Sequence, residues 1–271
     1  MSDIELVYIP SLLVQSPLPV RDPKRIEFVR RSGNQEIKLI SSPGVPFGHT
    51  GRMTLALSVT DAIRNHSPKV ELGTVASWLS RLETASSGGE RGSIGRVKDQ
   101  FNRIAKTQIT MTMLKKTEHG TIEKSKFLQI GEDLELFWDS RVSLSEMPTL
   151  FENYLLFDPR FYDYLVNHAV PVDLAVYDKF QKPLFQDIYA WLVWKLNSLE
   201  APLPLRWEMV EAQFSDKPQR NPREWRKRWL LTAVDVITEG YKGAKVEGTD
   251  TGILLHPSPR AIKQRESGFV F

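Results

Sequence analysis

The chain has 271 residues, 41% of them hydrophobic and 25% charged, a balance that excludes wholesale disorder and leaves room for one large or two small folded units. It contains no cysteine, which excludes disulfides, thiolate chemistry and cysteine-based zinc sites. The net charge is only +3, so any argument for an anionic partner rests on where the charges sit.

The N-terminus, Met1-Ser2-Asp3-Ile4-Glu5, lacks the basic and apolar regions of a signal peptide. No apolar run approaches the roughly 18–20 residues of a membrane span, so the expectation is a soluble, cytoplasmic protein with no membrane partner. Residues 1–37 mix apolar pieces with Arg21, Lys24, Arg25, Arg30 and Arg31, and read as an N-terminal extension.

A first unit is expected over residues 38–140. Thr50 to His66 reads as a helix, with Met53, Ala56, Val59 or Thr60, and Ile63 on one face. Lys69 to Leu72 is a short strand, and Thr74 to Leu82 a short helix. After a loop of small residues, Ser93 to Lys106 forms a helix with two distinct faces. Ile94, Val97, Phe101 and Ile104 share the core side, while Ser93, Arg96, Gln100 and Arg103 line a side rich in hydrogen-bond donors. The period then changes from helix to strand. Ile109, Met111 and Met113 alternate with threonines, and Thr121 to Ile130 returns as a partner strand, so a β-hairpin follows the helix.

A second unit of the same order is expected over 150–259, with a C-terminal tail over 260–271. Val172 to Phe180 and Pro183 to Leu199 read as helices, Leu203 to Trp207 as a strand and Trp207 to Phe214 as a short helix. Asn221-Pro222-Arg223-Glu224 carries the local signals of a helix start: an N-cap, a proline at the first helical position and a glutamate at the third. Trp225, Trp229, Ala233 and Val236 form its core face, and Gly240 is placed to stop it. Lys245 to Glu247 and Thr251 to Leu255 form a closing hairpin around Gly248-Thr249-Asp250. The fold class is therefore α+β, with two tandem winged-helix (winged helix-turn-helix) domains.

The charges concentrate where such a fold meets DNA. Between Asp216 and Arg228 the chain holds Lys217, Arg220, Arg223, Arg226, Lys227 and Arg228 against only Asp216 and Glu224. An α-helix fits the major groove, and arginine or lysine can pair with guanine O6 and N7. The candidate DNA-binding residues are Arg91, Ser93, Arg96, Gln100, Arg103, Lys115, Lys116, Arg220, Arg223, Arg226, Lys227 and Arg228. In the first basic helix, Arg96, Gln100 and Arg103 rank above Lys98, Asn102 and Lys106 for base contact, the latter suiting phosphate. The competing reading is a solvated basic face with no ligand.

Catalytic signals are weak. Gly88 to Gly95 lacks the G-x-x-x-x-G-K-[ST] pattern of a phosphate loop. The histidines, His49, His66, His119, His168 and His256, have no metal-pair spacing. Tyr162 and Tyr164 read as core residues rather than nucleophiles, and Asp158 and Asp173 as helix caps. The expectation is a protein that is not an enzyme and needs no cofactor or metal.

A family resemblance runs from about Pro46 to Pro259. It is carried by Pro46-Phe47-Gly48, Gly89-Glu90-Arg91-Gly92-Ser93-Ile94, Leu136-Phe137-Trp138-Asp139 and Pro171-Val172-Asp173-Leu174. Further along come Pro183 to Leu192 and Leu254-Leu255-His256-Pro257-Ser258-Pro259. On these residues the chain resembles the plasmid-encoded RepA replication proteins. The resemblance implies a bacterial initiator that binds repeats (iterons) in double-stranded origin DNA and recruits host initiator and replicative helicase machinery. It also implies monomers on the repeats and a homodimer that represses its own gene, with dimerisation in the first domain. The alternative is a dimeric transcriptional repressor that uses the same domains at an operator.

Overall fold

The computed structural model describes residues 4–82, 92–118, 120–137, 153–179 and 181–262. The chain opens with β1 (Leu6–Pro10) and the short buried helix α1 (Ser11–Gln15), followed by an extended strap to residue 26. The hairpin β2 (Glu27–Ser32) and β3 (Gln35–Ile40) comes next. The first unit then runs α2 (Gly48–Arg64), β4 (Lys69–Glu71), α3 (Val75–Arg81), α4 (Ser93–Ala105), β5 (Gln108–Thr117), β6 (Gly120–Gln129), β7 (Gly131–Glu135) and β8 (Tyr154–Phe157). A connecting segment holds α5 (Pro159–His168), β9 (Ala169–Asp173) and α6 (Leu174–Asp178). The second unit is α7 (Pro183–Leu196), β10 (Leu203–Arg206), α8 (Trp207–Phe214), α9 (Pro222–Glu239), β11 (Lys245–Gly248) and β12 (Gly252–His256).

Both units share one topology. In the first, β4 is followed by two helices, and the last strand, β8, lies between β4 and β7. In the second, β10 is followed by two helices, and the last strand, β12, lies between β10 and β11. Gly252 is required by this packing: a Cβ there would lie 1.9 Å from the Leu205 carbonyl oxygen on the neighbouring strand.

Two elements depart from the sequence reading. The β5–β6 hairpin, expected as the wing of the first unit, instead continues the N-terminal hairpin into a four-stranded sheet of order β2-β3-β5-β6. The reason is apolar matching across strands. Leu39 pairs with Ile109, Ile109 with Leu128, and Ile37 with Met111, so one face of this sheet closes over the core. The place beside β4 goes to β8, with β7 on its far side. Tyr154–Phe157 therefore belongs to the first sheet, although it lies in the stretch 150–259 assigned by sequence to the second unit. The second departure concerns Val172 to Phe180, expected as a helix. Val172 and Asp173 finish β9, which pairs with β1, and among the described residues of this stretch Leu174–Asp178 is helical; Phe180 lies outside the described residues. Asp173 caps that turn by accepting from the Val176 N–H at 3.2 Å.

The core is continuous through both units. Helix α2 is buried on nearly every side because β1 covers one flank and α4 another. Two of its hydroxyls bond back to the helix, Ser58 donating to the Thr54 carbonyl at 2.8 Å and Thr60 to the Ala56 carbonyl at 2.6 Å, whereas the buried Thr54 hydroxyl has no partner among the described residues. In the second unit Trp191, Trp207 and Phe214 pack edge-on around Trp229, with ring centroids 6.4, 6.2 and 5.8 Å from it. The segment after β12 is docked by Tyr241, which donates to the Pro259 carbonyl at 2.7 Å. No described helix is long and apolar enough to cross a membrane.

Candidate nucleic-acid interface

The two basic helices occupy equivalent places in their units but present different surfaces. On α4, Val97, Phe101 and Ile104 enter the core as their spacing predicts. The polar stripe beside this core face is largely covered. Ser93 is 1% exposed and Gln100 3% exposed. The Gln100 Oε1 accepts the Phe47 N–H at 3.0 Å. Arg103 donates to Asp99 at 2.7 Å and to the Val45 carbonyl at 3.3 Å, lies 3.4 Å from Asp22, and stacks on Phe47. Helical period alone shows that these residues share a face; it does not show that the strap and the loop before α2 fold over it. Gln100, Arg103 and Ser93 are thereby moved from the expected DNA contacts to structural roles. One signal in the sequence pointed this way, since Asp99 and Arg103 stand four apart on the helix. Arg96 and Lys106 remain exposed, and neither has an ion pair among the described residues. Arg91 lies outside the described residues.

Helix α9 behaves as its sequence predicts. Asn221 caps it by accepting from the Glu224 N–H at 3.3 Å, and Pro222 opens the first turn. Trp225, Trp229, Ala233 and Val236 are buried on one face, which forces the other to solvent. Lys217, Arg220, Arg223, Lys227 and Arg228 are exposed, and none has an ion pair among the described residues. Arg226 sits on the flank, 3.3 Å from Glu211 and over the Trp207 ring, so its charge is already partnered.

The acid at the head of this segment is also partnered. Asp216 accepts from Arg30 of β2 at 2.7 Å and from the Val20 N–H at 2.9 Å. Arg30 is 2% exposed and donates as well to the Pro17 and Ser215 carbonyls, each at 2.7 Å. Burial pushes its guanidinium down from the ordinary value, with Asp216 opposing the shift. The N-terminal part of the chain thus cancels one of the two acids of the 216–228 segment, and Glu224 in the first turn of α9 is the other, set against five exposed cations.

A second buried arginine joins the units. Arg52 on α2 grips Asp187 on α7 through two donors, at 2.7 and 2.8 Å. It also donates to the Pro19 and Gly48 carbonyls at 3.0 Å and to the Leu18 carbonyl. Burial opposes the charge, but Asp187 outweighs it and holds the Arg52 guanidinium above its ordinary value. The strap at Pro17–Val20 is therefore clamped between Arg30 of the N-terminal hairpin and Arg52 of the first unit on one side and two aspartates of the second unit on the other.

On the β5–β6 hairpin, Lys115 and Lys116 are exposed as expected. Cross-strand pairing places Lys115 opposite Ile122 and Lys124 opposite Met113 on one face, with Lys116 on the other. Lys126 rests over the Tyr164 ring. Tyr164 is buried and shares a hydrogen bond with Ser11 at 2.7 Å, and burial pushes its phenol up. Asp158 caps α5, accepting from the Arg160 N–H at 2.9 Å. His49 lies between Gln186 and Asp178, His256 beside Glu247, and His168 against Tyr164. His119 lies outside the described residues, among which no cluster of acids and histidines is placed to hold a metal.

Against known proteins, residues 45–205 match the family described as plasmid encoded RepA protein, more than half of the chain. The chain belongs to this RepA family. The match runs from the loop before α2 to β10, so α9 lies beyond it. Among solved structures, domains 2 and 3 of RctB align over 94% of this RepA chain and 99% of that one, with a TM-score of 0.57 and 15% identity. A second structure of RctB domains 2–3 covers 88% of this chain and 84% of its own, with a TM-score of 0.51 and 17% identity. At these identities the likeness is one of fold. No curated protein sequence matches the chain.

Proposed function

We propose that this RepA-family protein initiates plasmid replication by binding iterons in double-stranded origin DNA through two winged-helix units, in the bacterial cytoplasm. Both units follow the order helix, strand, helix, helix and hairpin, with the last strand central, and α4 and α9 stand in the recognition-helix position. The observation that carries the reading is the solvent face of α9. Arg223, Lys227 and Arg228 project from a capped helix start with no ion pair among the described residues, and Lys217 and Arg220 extend the charge into the preceding turn. Arginine and lysine there suit guanine edges and phosphates, and the backbone N–H groups of the first turn suit a phosphate. Helix α4 contributes Arg96 and Lys106 to the backbone rather than a base-reading stripe.

The clamp at Arg30 and Arg52 fixes one unit relative to the other, so the two helices meet the duplex at a set spacing. The protein acts as a scaffold for host initiator and helicase rather than as an enzyme, and origin opening draws on DNA-binding energy.

The test is a binding titration on duplex from the plasmid region flanking the gene, against a scrambled duplex, at several salt concentrations. The expected result is about 10³-fold or greater preference for a repeated site at physiological salt, weakened by Arg223→Ala. Equal, weak binding to both duplexes overturns the reading. A plasmid carrying that region and depending on this chain for replication separates an initiator from a repressor, which binds but does not sustain replication.

A further inference from the structure

Helix α9 carries an apolar pair where a soluble helix normally carries charge. Leu231 is 57% and Val234 58% exposed, in the middle of an 18-residue helix whose core face is satisfied by Trp225, Trp229, Ala233 and Val236. Residues three and four apart on a helix are neighbours, so Arg223, Lys227, Leu231 and Val234 form one outward stripe. The stripe holds two cations and then two apolar side chains, with no acid on it; Glu224 and Asp235 lie alongside. From Arg223 to Val234 it spans about 16 Å at the rise of an α-helix.

We infer that Leu231 and Val234 read thymine, through the 5-methyl groups that thymine presents in the major groove. The inference rests on α9 being the DNA-reading helix and goes further by naming the base. A thymine methyl is the one apolar feature on a major-groove base edge, and apolar side chains are its natural contacts. The charge on the stripe selects this occupant. The cores of protein–protein interfaces are depleted of charge, whereas this pair continues directly from Arg223 and Lys227, which a polyanion suits. The cations position the helix on phosphates and guanine edges near its start, and the apolar pair meets the bases about two turns further along.

The experiment uses the full chain and the shortest duplex from the gene-flanking plasmid region that it binds. Each thymine is replaced in turn by uracil, which removes only the methyl group. At one or two positions the wild type loses about three- to fivefold in affinity per methyl removed. Leu231→Ala or Val234→Ala binds the thymine duplex more weakly, by a similar factor, and loses the thymine-over-uracil preference at its position. Arg223→Ala weakens binding to both duplexes and keeps the preference. Both apolar residues are exposed, and thermal unfolding of each variant verifies that the fold is retained. Specific binding by the wild type with no uracil effect overturns the inference while leaving the DNA-binding reading intact. So does a uracil effect that survives both alanine variants, or a replication defect in Leu231→Ala with unchanged DNA binding, which marks a protein partner. Absence of any duplex preference overturns both readings.

Discussion

Replacing Arg52 with methionine keeps most of the side-chain volume and removes every donor that Arg52 gives to the clamp. The Asp187 carboxylate then stays buried without its two partners, and the Leu18, Pro19 and Gly48 carbonyls each lose one donor, Leu18 keeping Arg30 and Pro19 keeping the Gly48 N–H. Breaking a buried ion pair by removing one member costs about 3–5 kcal/mol, because the remaining charge is uncompensated. That is a large share of the roughly 5–15 kcal/mol that holds a folded chain together. At about 2–4 °C per kcal/mol, the melting midpoint falls by about 10 °C. The loss also falls on the contact between units, so calorimetry should resolve two transitions where the wild type shows one. Arg52→Met combined with Asp187→Leu should recover more than half of the loss, since the stranded charge is gone. A single-variant midpoint within about 2 °C of wild type, with one transition, refutes the view that this pair joins the units.

Lys227→Ala and Arg228→Ala should weaken binding to specific and scrambled duplexes alike, each lowering the slope of log K against log salt by about 1, as read by titration at several salt concentrations. Gln100→Ala should behave in the opposite way. Leaving the half-buried Phe47 N–H without its acceptor costs about 1 kcal/mol in denaturant unfolding, with the salt slope of DNA binding unchanged. Asn221→Ala should cost about 1 kcal/mol of stability by removing the acceptor for the Glu224 N–H, and should weaken DNA binding through fraying of the first turn of α9.

Much of this arrangement is legible in the amino-acid order, wherever the forces are local. The start of α9 follows from Asn221-Pro222-Arg223-Glu224, its buried face from the spacing of Trp225, Trp229, Ala233 and Val236, and the β5–β6 hairpin from the alternation around Ile109. Each depends on contacts a few residues apart, which composition and period encode. Family membership, too, was carried by short segments in order. Only the tertiary structure decided which strands lie beside β4, because pairing across the chain depends on matching apolar faces far apart in sequence. It also decided the fate of the α4 stripe. Periodicity places Ser93, Gln100 and Arg103 on one side of a helix, but whether that side meets water, DNA or another segment depends on where residues 22–47 run. The same holds for Arg30 and Arg52. In the sequence they are two more cations in a basic chain; buried against Asp216 and Asp187, they are unavailable to DNA and instead hold the two units together, because a charge out of water persists only beside its opposite.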